Sequence, residues 1–195
     1  MSFKARLLSL IFFAAFLVLA VFSYIAYISL DFTENRFSEA AIRGKSVLWQ
    51  KIIQVQLDQM EATSTSLTRA SDLLKALQQS ETAALHDAAI STFNRLSSSQ
   101  LISRLQIADN AGNIVFSSPS TFRGPSVKTL IKKAILEKKV FKGLERDDDG
   151  SIVAEVVFPL YVRAQPVGVA ILMSDMNSAI ESFKQSDGSE IHLFS

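Results

Sequence analysis

Arg104, Tyr161 and Arg163 are the side chains best placed for ligand chemistry in this 195-residue chain. Each sits at the edge of a strand-like segment, and an arginine is the usual bidentate clamp for a carboxylate. Taken singly, each reads first as a strand-end residue facing water. Around them runs a basic stretch: Arg123, Lys128, Lys132, Lys133, Lys138, Lys139, Lys142 and Arg146, broken only by Glu137 and Glu145. A solvated helix face is the default for such a run. The functional alternative is a helix flanking a pocket, whose positive potential favours an anionic small-molecule ligand. Phe116, Phe141 and Phe158 are expected in the core, with pocket lining as their alternative use.

No catalytic constellation accompanies these residues. His86 and His192 have no ligand-spaced neighbours, so no metal site is expected. The serines lack a Gly-x-Ser-x-Gly elbow and a phosphate-cradling glycine loop. Asp147-Asp148-Asp149-Gly150 lacks the further acidic ligand of a calcium loop and reads as a hairpin turn. Cysteine is absent, which removes disulfides, thiolate nucleophiles and zinc-thiolate sites. A formal net charge of +1 gives no electrostatic case for nucleic acid. The expectation is a non-enzymatic module without a cofactor.

The elements that must hold the candidates change period along the chain. From Asp31 to Leu77 apolar residues recur every three to five positions, which predicts a long amphipathic helix. Thr63-Ser64-Thr65-Ser66 lowers helix propensity and marks an expected kink. A second helix is predicted from Glu81 to Ser97, with Ser80 as its N-cap. Leu105–Ala108 and Ile114–Phe116 then alternate about the turn 109–113, as a β-hairpin does. Ser126 can cap a short helix built on Val127, Leu130, Ile131, Ala134 and Ile135. Three strands follow, Val140–Arg146, Ile152–Val162 and Val167–Met173. The fold class is α+β, with five antiparallel strands and helices packed beside them.

Before all this comes one apolar run, Leu7–Leu30, flanked by Lys4 and Arg6 on one side and Asp31 and Glu34 on the other. As helix it would extend about 36 Å, enough for a bilayer core. Positive flanks stay cytoplasmic, so everything from Asp31 onward is expected outside. A cleaved signal peptide is the alternative; Ala20-Val21-Phe22-Ser23 is a poor cleavage site, and the run continues past it. The apolar stripe of the helix beyond implies a homodimer. Met176–Lys184 reads as a helix, and Glu190–Phe194 as the first half of a strand that leads into a second module.

This arrangement resembles the Cache domains, PAS-like exterior sensors of bacterial chemoreceptors, histidine kinases and diguanylate cyclases. Leu105–Phe116 looks like their first hairpin. Val157-Phe158-Pro159-Leu160-Tyr161 with Gln165-Pro166-Val167-Gly168-Val169-Ala170-Ile171 is similar to their last two strands, and Asp72–Leu77 to the helix before the core in double-Cache receptors. The resemblance implies residues 1–6 in the cytoplasm, a membrane helix at 7–30, and a stalk at 31–80. It further implies a sensor core at 81–175 and a connection to a second module at 176–195. It implies the periplasmic ligand-sensing part of an inner-membrane receptor, a methyl-accepting chemotaxis protein first, with kinase or cyclase output or an interaction protein as alternatives. Asp175 occupies a place resembling the family's ligand-binding aspartate and joins Arg104, Phe116, Tyr161 and Arg163 as a candidate. The family's amino-acid binders carry a Trp-Tyr pair near the site; here Trp49, the only tryptophan, lies on the stalk, so no amino-acid ligand is inferred.

Overall fold

The computed structural model describes residues 3–147 and 150–188, with the backbone alone for residues 3–12, 14, 15, 26 and 28–38. The predicted strand at Glu190–Phe194 lies outside the described residues. Among the described residues the elements follow in order: α1 (Phe3–Thr68), α2 (Ser71–Gln79), α3 (Thr82–Ser97), β1 (Arg104–Ala108), β2 (Asn113–Ser118), β3 (Gly124–Pro125), α4 (Thr129–Glu137), β4 (Phe141–Arg146), β5 (Ile152–Val162), β6 (Gln165–Asp175) and α5 (Asn177–Asp187). The chain divides into two units, Met1–Leu48 and Trp49–Ser195.

The first unit is helical from Phe3. The run Leu7–Leu30 belongs to it, although the side chains of half that run are outside the description. Among the described residues no helix is long and apolar enough to cross a membrane. Gly44 is helical, and a Cβ added there would meet nothing within 4 Å. Glycine costs about 1 kcal/mol relative to alanine inside a helix. Gly44→Ala should therefore slow amide hydrogen exchange in the flanking turns by up to about fivefold; unchanged exchange would mean that local opening does not limit it.

In the second unit the sheet order is β3-β2-β1-β6-β5-β4, with antiparallel pairing throughout. There are six strands rather than the five expected, because Gly124 and Pro125 add a two-residue edge beside Ile114 and Asn113. So short a pairing shows no alternation in the sequence. Period-two alternation sorts the sheet's side chains onto two faces. Leu105, Ile107, Phe116, Ala154, Val156, Phe158, Ala170 and Leu172 pack with Ile53, Leu57, Met60 and Leu67 of α1 and with residues of α2 and α3. Ala108, Ile114, Val153, Val157, Val169, Ile171 and Met173 pack against Ile131 and Ala134 of α4. Trp49 is half-buried on the first of these clusters and meets the Phe183 ring edge-on at 5.8 Å.

Helix boundaries depart from the sequence reading at two points. α1 runs unbroken through Thr63–Ser66 and stops only at Arg69 and Ala70. Thr63 and Thr65 each donate a hydroxyl to the carbonyl three residues back, at 2.6 and 2.9 Å, so their polar groups are satisfied within the helix. Ser80 does not cap α3. It takes the left-handed conformation (φ 55°) and closes α2, donating its N–H back to Ala76 and Leu77.

The hairpin is held as its turn residues require. The Asp109 carboxylate accepts the N–H groups of Ala111 and Asn113, both at 2.9 Å, and Gly112 supplies the positive φ. Helix α4 is capped from a distance. Glu145 on β4 accepts the N–H of Thr129 at 2.7 Å and that of Leu130 at 3.3 Å. Ser126, the predicted cap, accepts only the Lys128 N–H, at 3.2 Å.

Candidate functional site

Strand register gathers the site. Gly143, Glu155, Met173 and Arg104 stand opposite one another across β4, β5, β6 and β1, in one row. Neighbouring strands lie about 4.8 Å apart, so this row carries a carboxylate, a thioether and a guanidinium side by side on the α4 face. Gly143 leaves room at its end, since a Cβ there would meet only Leu130 of α4, at 3.9 Å. Asp175 follows two residues along β6 on the same face. Asp147, just past β4, closes the group.

Lys128, the residue before α4, turns into this row. Its Nζ donates to Glu155 Oε2 at 2.9 Å and to Met173 Sδ at 3.1 Å, and it lies 3.0 Å from Asp147 Oδ1. Arg104 donates to the other oxygen of Asp147 and lies 3.8 Å from Asp175 Oδ1. Three of these charged side chains are almost completely removed from water: Glu155 at 0% exposure and Lys128 and Asp147 at 4% each. Charges are almost never buried so completely unless paired.

Arg104 and Asp175, predicted from sequence, do come together. The other predicted site residues lie apart from them. Tyr161 stands six positions beyond Glu155 on β5, about 20 Å along the strand, and its hydroxyl donates to the Lys138 carbonyl at the far end of α4, at 3.3 Å. Arg163 is exposed in the β5–β6 turn at φ 47°. Phe116 is buried on the opposite face, edge-on to His86 at 5.7 Å. A side chain two positions along a strand stays on its face, and one position along crosses the sheet.

Lys128, Asp147 and Glu155 were not singled out from sequence as site residues. Lys128 was one lysine among eight basic residues, and Asp147 was part of a turn. The Gly150 N–H donates to the Asp147 carbonyl at 2.9 Å, while Asp148 and Asp149 of the predicted turn lie outside the described residues. Glu155 had a usable signal: it is the lone charge inside the apolar run Ile152–Val162. Of the basic stretch, Lys132, Lys133, Lys138 and Lys139 face solvent.

On the sheet's other face, β6 is tied to α1. Gln56 Nε2 donates to Ser174 Oγ at 2.7 Å, a buried contact, and to Ser178 Oγ at 3.1 Å, a partly buried one. Ser174 is the neighbour of Asp175, so one strand end carries both contacts on opposite faces. A second tie joins α1 to β4, where the Lys142 ammonium lies 2.6 Å from Asp58 and 2.5 Å from Glu61. The hydrogen bond from Lys142, aided by Gln54, holds the Asp58 carboxyl below its ordinary range, and Asp58 and then Glu61 hold Lys142 above its own. The Asp58 contribution is present above the unfolded carboxylate value of about 3.9 and is lost as pH falls through the lowered folded value. The Lys142 contribution is full below about 10.4 and is lost as pH rises through the raised folded value. The stability gap between wild type and Lys142→Met should thus stay flat from about pH 5 to 9. It should close in acid and shrink in high salt, because the pair is exposed. Urea midpoints across pH check this; a gap that widens in acid contradicts it.

Among the described residues, cavities lie elsewhere. One of about 590 Å³ is lined by Arg69, Asp72, Ser91 and Arg95 among others, and one of about 240 Å³ by Asp109, Ile114 and Arg123 among others. Neither contains a residue of the ion cluster.

A family model described as the double sensory domain of two-component sensor kinases matches residues 37–195. The chain belongs to this family. It is a Cache-type sensory domain, the sensing part of a signalling receptor. The sensor domain of the V. cholerae histidine kinase DctB is similar in fold (TM-score 0.51, 15% identity), over 70% of this chain and 60% of that one. The E. coli DcuS sensor domain is similar at TM-score 0.53 and 14% identity, over 69% of this chain and 98% of that one. A domain from Vibrio parahaemolyticus ascribed to a sensory box/GGDEF family protein matches at TM-score 0.54 and 17% identity, over 75% of this chain and 63% of that one. This Cache domain thus spans less than two thirds of two of these three solved domains. No curated protein matches it.

Proposed function

We propose that this domain is the ligand-sensing part of a bacterial inner-membrane receptor, anchored by Leu7–Leu30 with its N-terminus in the cytoplasm and its sheet in the periplasm. The described apolar side chains of that run support an anchor: Phe16, Phe22 and Tyr27 stand 72%, 68% and 74% exposed and need a covering medium. Ile42 and Val47, both 64% exposed, support pairing of two copies through α1. In this reading the domain is not an enzyme, and a ligand acts by preferring one arrangement of β6, whose end is tied to α1 through Ser174 and Gln56.

The observation that carries the reading is the ion cluster in the sheet row under α4, where a single nine-residue helix covers a sheet face that ends in ionisable groups. The family's description favours histidine kinase output over the methyl-accepting chemotaxis output that the sequence resemblance put first. Thermal denaturation of the chain against small carboxylates, amines and purines tests it. At least one class should raise the Tm, and Asp175→Asn, at a half-exposed position, should abolish that response. A flat response to every class would turn the reading toward a membrane-anchored interaction protein.

A further inference from the structure

We propose that the cavity of about 240 Å³ between the α2–α3 turn and the β1–β2 hairpin is a second ligand site, built for a small monoanion with an apolar body. It shares no residue with the ion cluster and stands whether or not that cluster binds a ligand.

The floor of the cavity is apolar and preformed. Leu77, Leu85 and Ile114 line it at 7%, 4% and 2% exposure, and Val115 lines it half-buried. Only Ser80 and Glu81 separate α2 from α3, so Leu77 and Leu85 lie about one helical turn to either side of the connection and converge on the sheet. Leu77 is seated closely there, since a Cβ added at Gly168 of β6 would come within 3.2 Å of its side chain.

The polar groups around this floor are donors without partners. Arg123 immediately precedes β3, and Gly124 of β3 pairs with Ile114. The short edge strand thus fixes the arginine beside the floor. Among the described residues the Arg123 guanidinium has no hydrogen bond and no ion pair, and the hydroxyls of Ser80 and Thr82, also in the lining, have no hydrogen-bond partner. Asp109 is the one carboxylate in the wall, and it is committed to its own turn. It accepts the N–H groups of Ala111 and Asn113, both at 2.9 Å, and the Asn113 side-chain amide at 3.0 Å. It makes no ion pair with Arg123.

These features select a ligand class. A guanidinium with a free planar fork holds a carboxylate through two parallel N–H bonds, and the hydroxyls can add further donors. A single cation calls for a single negative charge. With Asp109 engaged, no free carboxylate is left in the wall for the ammonium of a zwitterion. The apolar floor rewards a hydrophobic body by removing it from water. The volume equals the liquid share of about eight water molecules, below the range of about 300–1,000 Å³ for pockets of drug-sized ligands. An aromatic or branched aliphatic monocarboxylate meets all of these conditions.

The test is thermal unfolding of the whole chain in nanodiscs of zwitterionic lipid, titrated at constant ionic strength with sodium benzoate. Benzamide supplies the same body without the charge, and sodium acetate the charge with almost no body. Benzoate should raise the wild-type Tm saturably, and each control should need a concentration at least about tenfold higher. Arg123 is exposed and unpaired, so Arg123→Gln keeps the fold; it should bind benzoate about tenfold or more weakly. No saturable rise in wild type, an equal rise with benzamide or acetate, or a benzoate response unchanged in Arg123→Gln would each overturn the proposal. A response at the ion cluster is the one lost in Asp175→Asn, and a response at this cavity is the one lost in Arg123→Gln, so failure of either reading is told apart from failure of the other.

Discussion

Lys128→Met should lower the unfolding free energy by about 3–5 kcal/mol, the usual cost of removing one partner from a buried ion pair. The methionine stem keeps the packing of the lysine chain, so the loss isolates the charge. Glu155 is then left at 0% exposure without the ammonium that lies 2.9 Å from it in wild type. Most of the loss comes from keeping that carboxylate out of water with its cation gone. Adding Glu155→Leu to the same chain should restore much of the loss, since apolar replacements of buried pairs are often neutral or better. Urea midpoints of the two single variants and the double variant form a cycle that reads the coupling. Additive losses would show that the two residues do not share an interaction, and the sheet row would lose its organising charge.

Gly168→Ala should cost about 3 kcal/mol, combining overpacking with a disfavoured backbone geometry. A Cβ at this position of β6 would overlap the carbonyl oxygen of Ala108 on β1 and press on Leu77 of α2 at 3.2 Å, and φ here is 155°. The obstacle on one side is backbone in a paired strand, which cannot rotate away as a side chain would. Gly143→Ala is the control, because its Cβ would make only an ordinary contact at 3.9 Å with Leu130. That variant should lie within about 1 kcal/mol of wild type, with a gain if the lost backbone freedom of glycine dominates. Chemical denaturation of both distinguishes a position that needs glycine from one that merely has it. Equal losses at the two positions would refute the close approach of β1 and β6.

The elements were legible where local chemistry sets them. Alternation in Leu105–Phe116 and the Asp109–Gly112 turn marked the hairpin, and the apolar runs marked β5 and β6 within two residues at each end. The misplaced boundaries share a cause. Thr63 and Thr65 are weak helix formers in isolation, yet their hydroxyls find carbonyls one turn back and the helix continues. Ser80 has the chemistry of an N-cap but the backbone of a C-cap, and its neighbours decide between them.

Among the candidate residues, Arg104 was drawn from its place at a strand end and Asp175 from the family resemblance, and the structure sets the two 3.8 Å apart. Lys128 was not singled out, because nothing local separates a lysine that faces water from one that turns inward.

Composition, period and turn chemistry by themselves determined an α+β domain, with one long helix leading into an antiparallel sheet, and the sensory role followed only from the family resemblance. Those are properties of adjacent residues, and adjacent residues act through the backbone they share. Only the tertiary structure decided where the charges meet. Lys128, Asp147 and Glu155 are brought together by strand register and by the seat of α4, and burial then makes their pairing obligatory, because water is no longer there to solvate them.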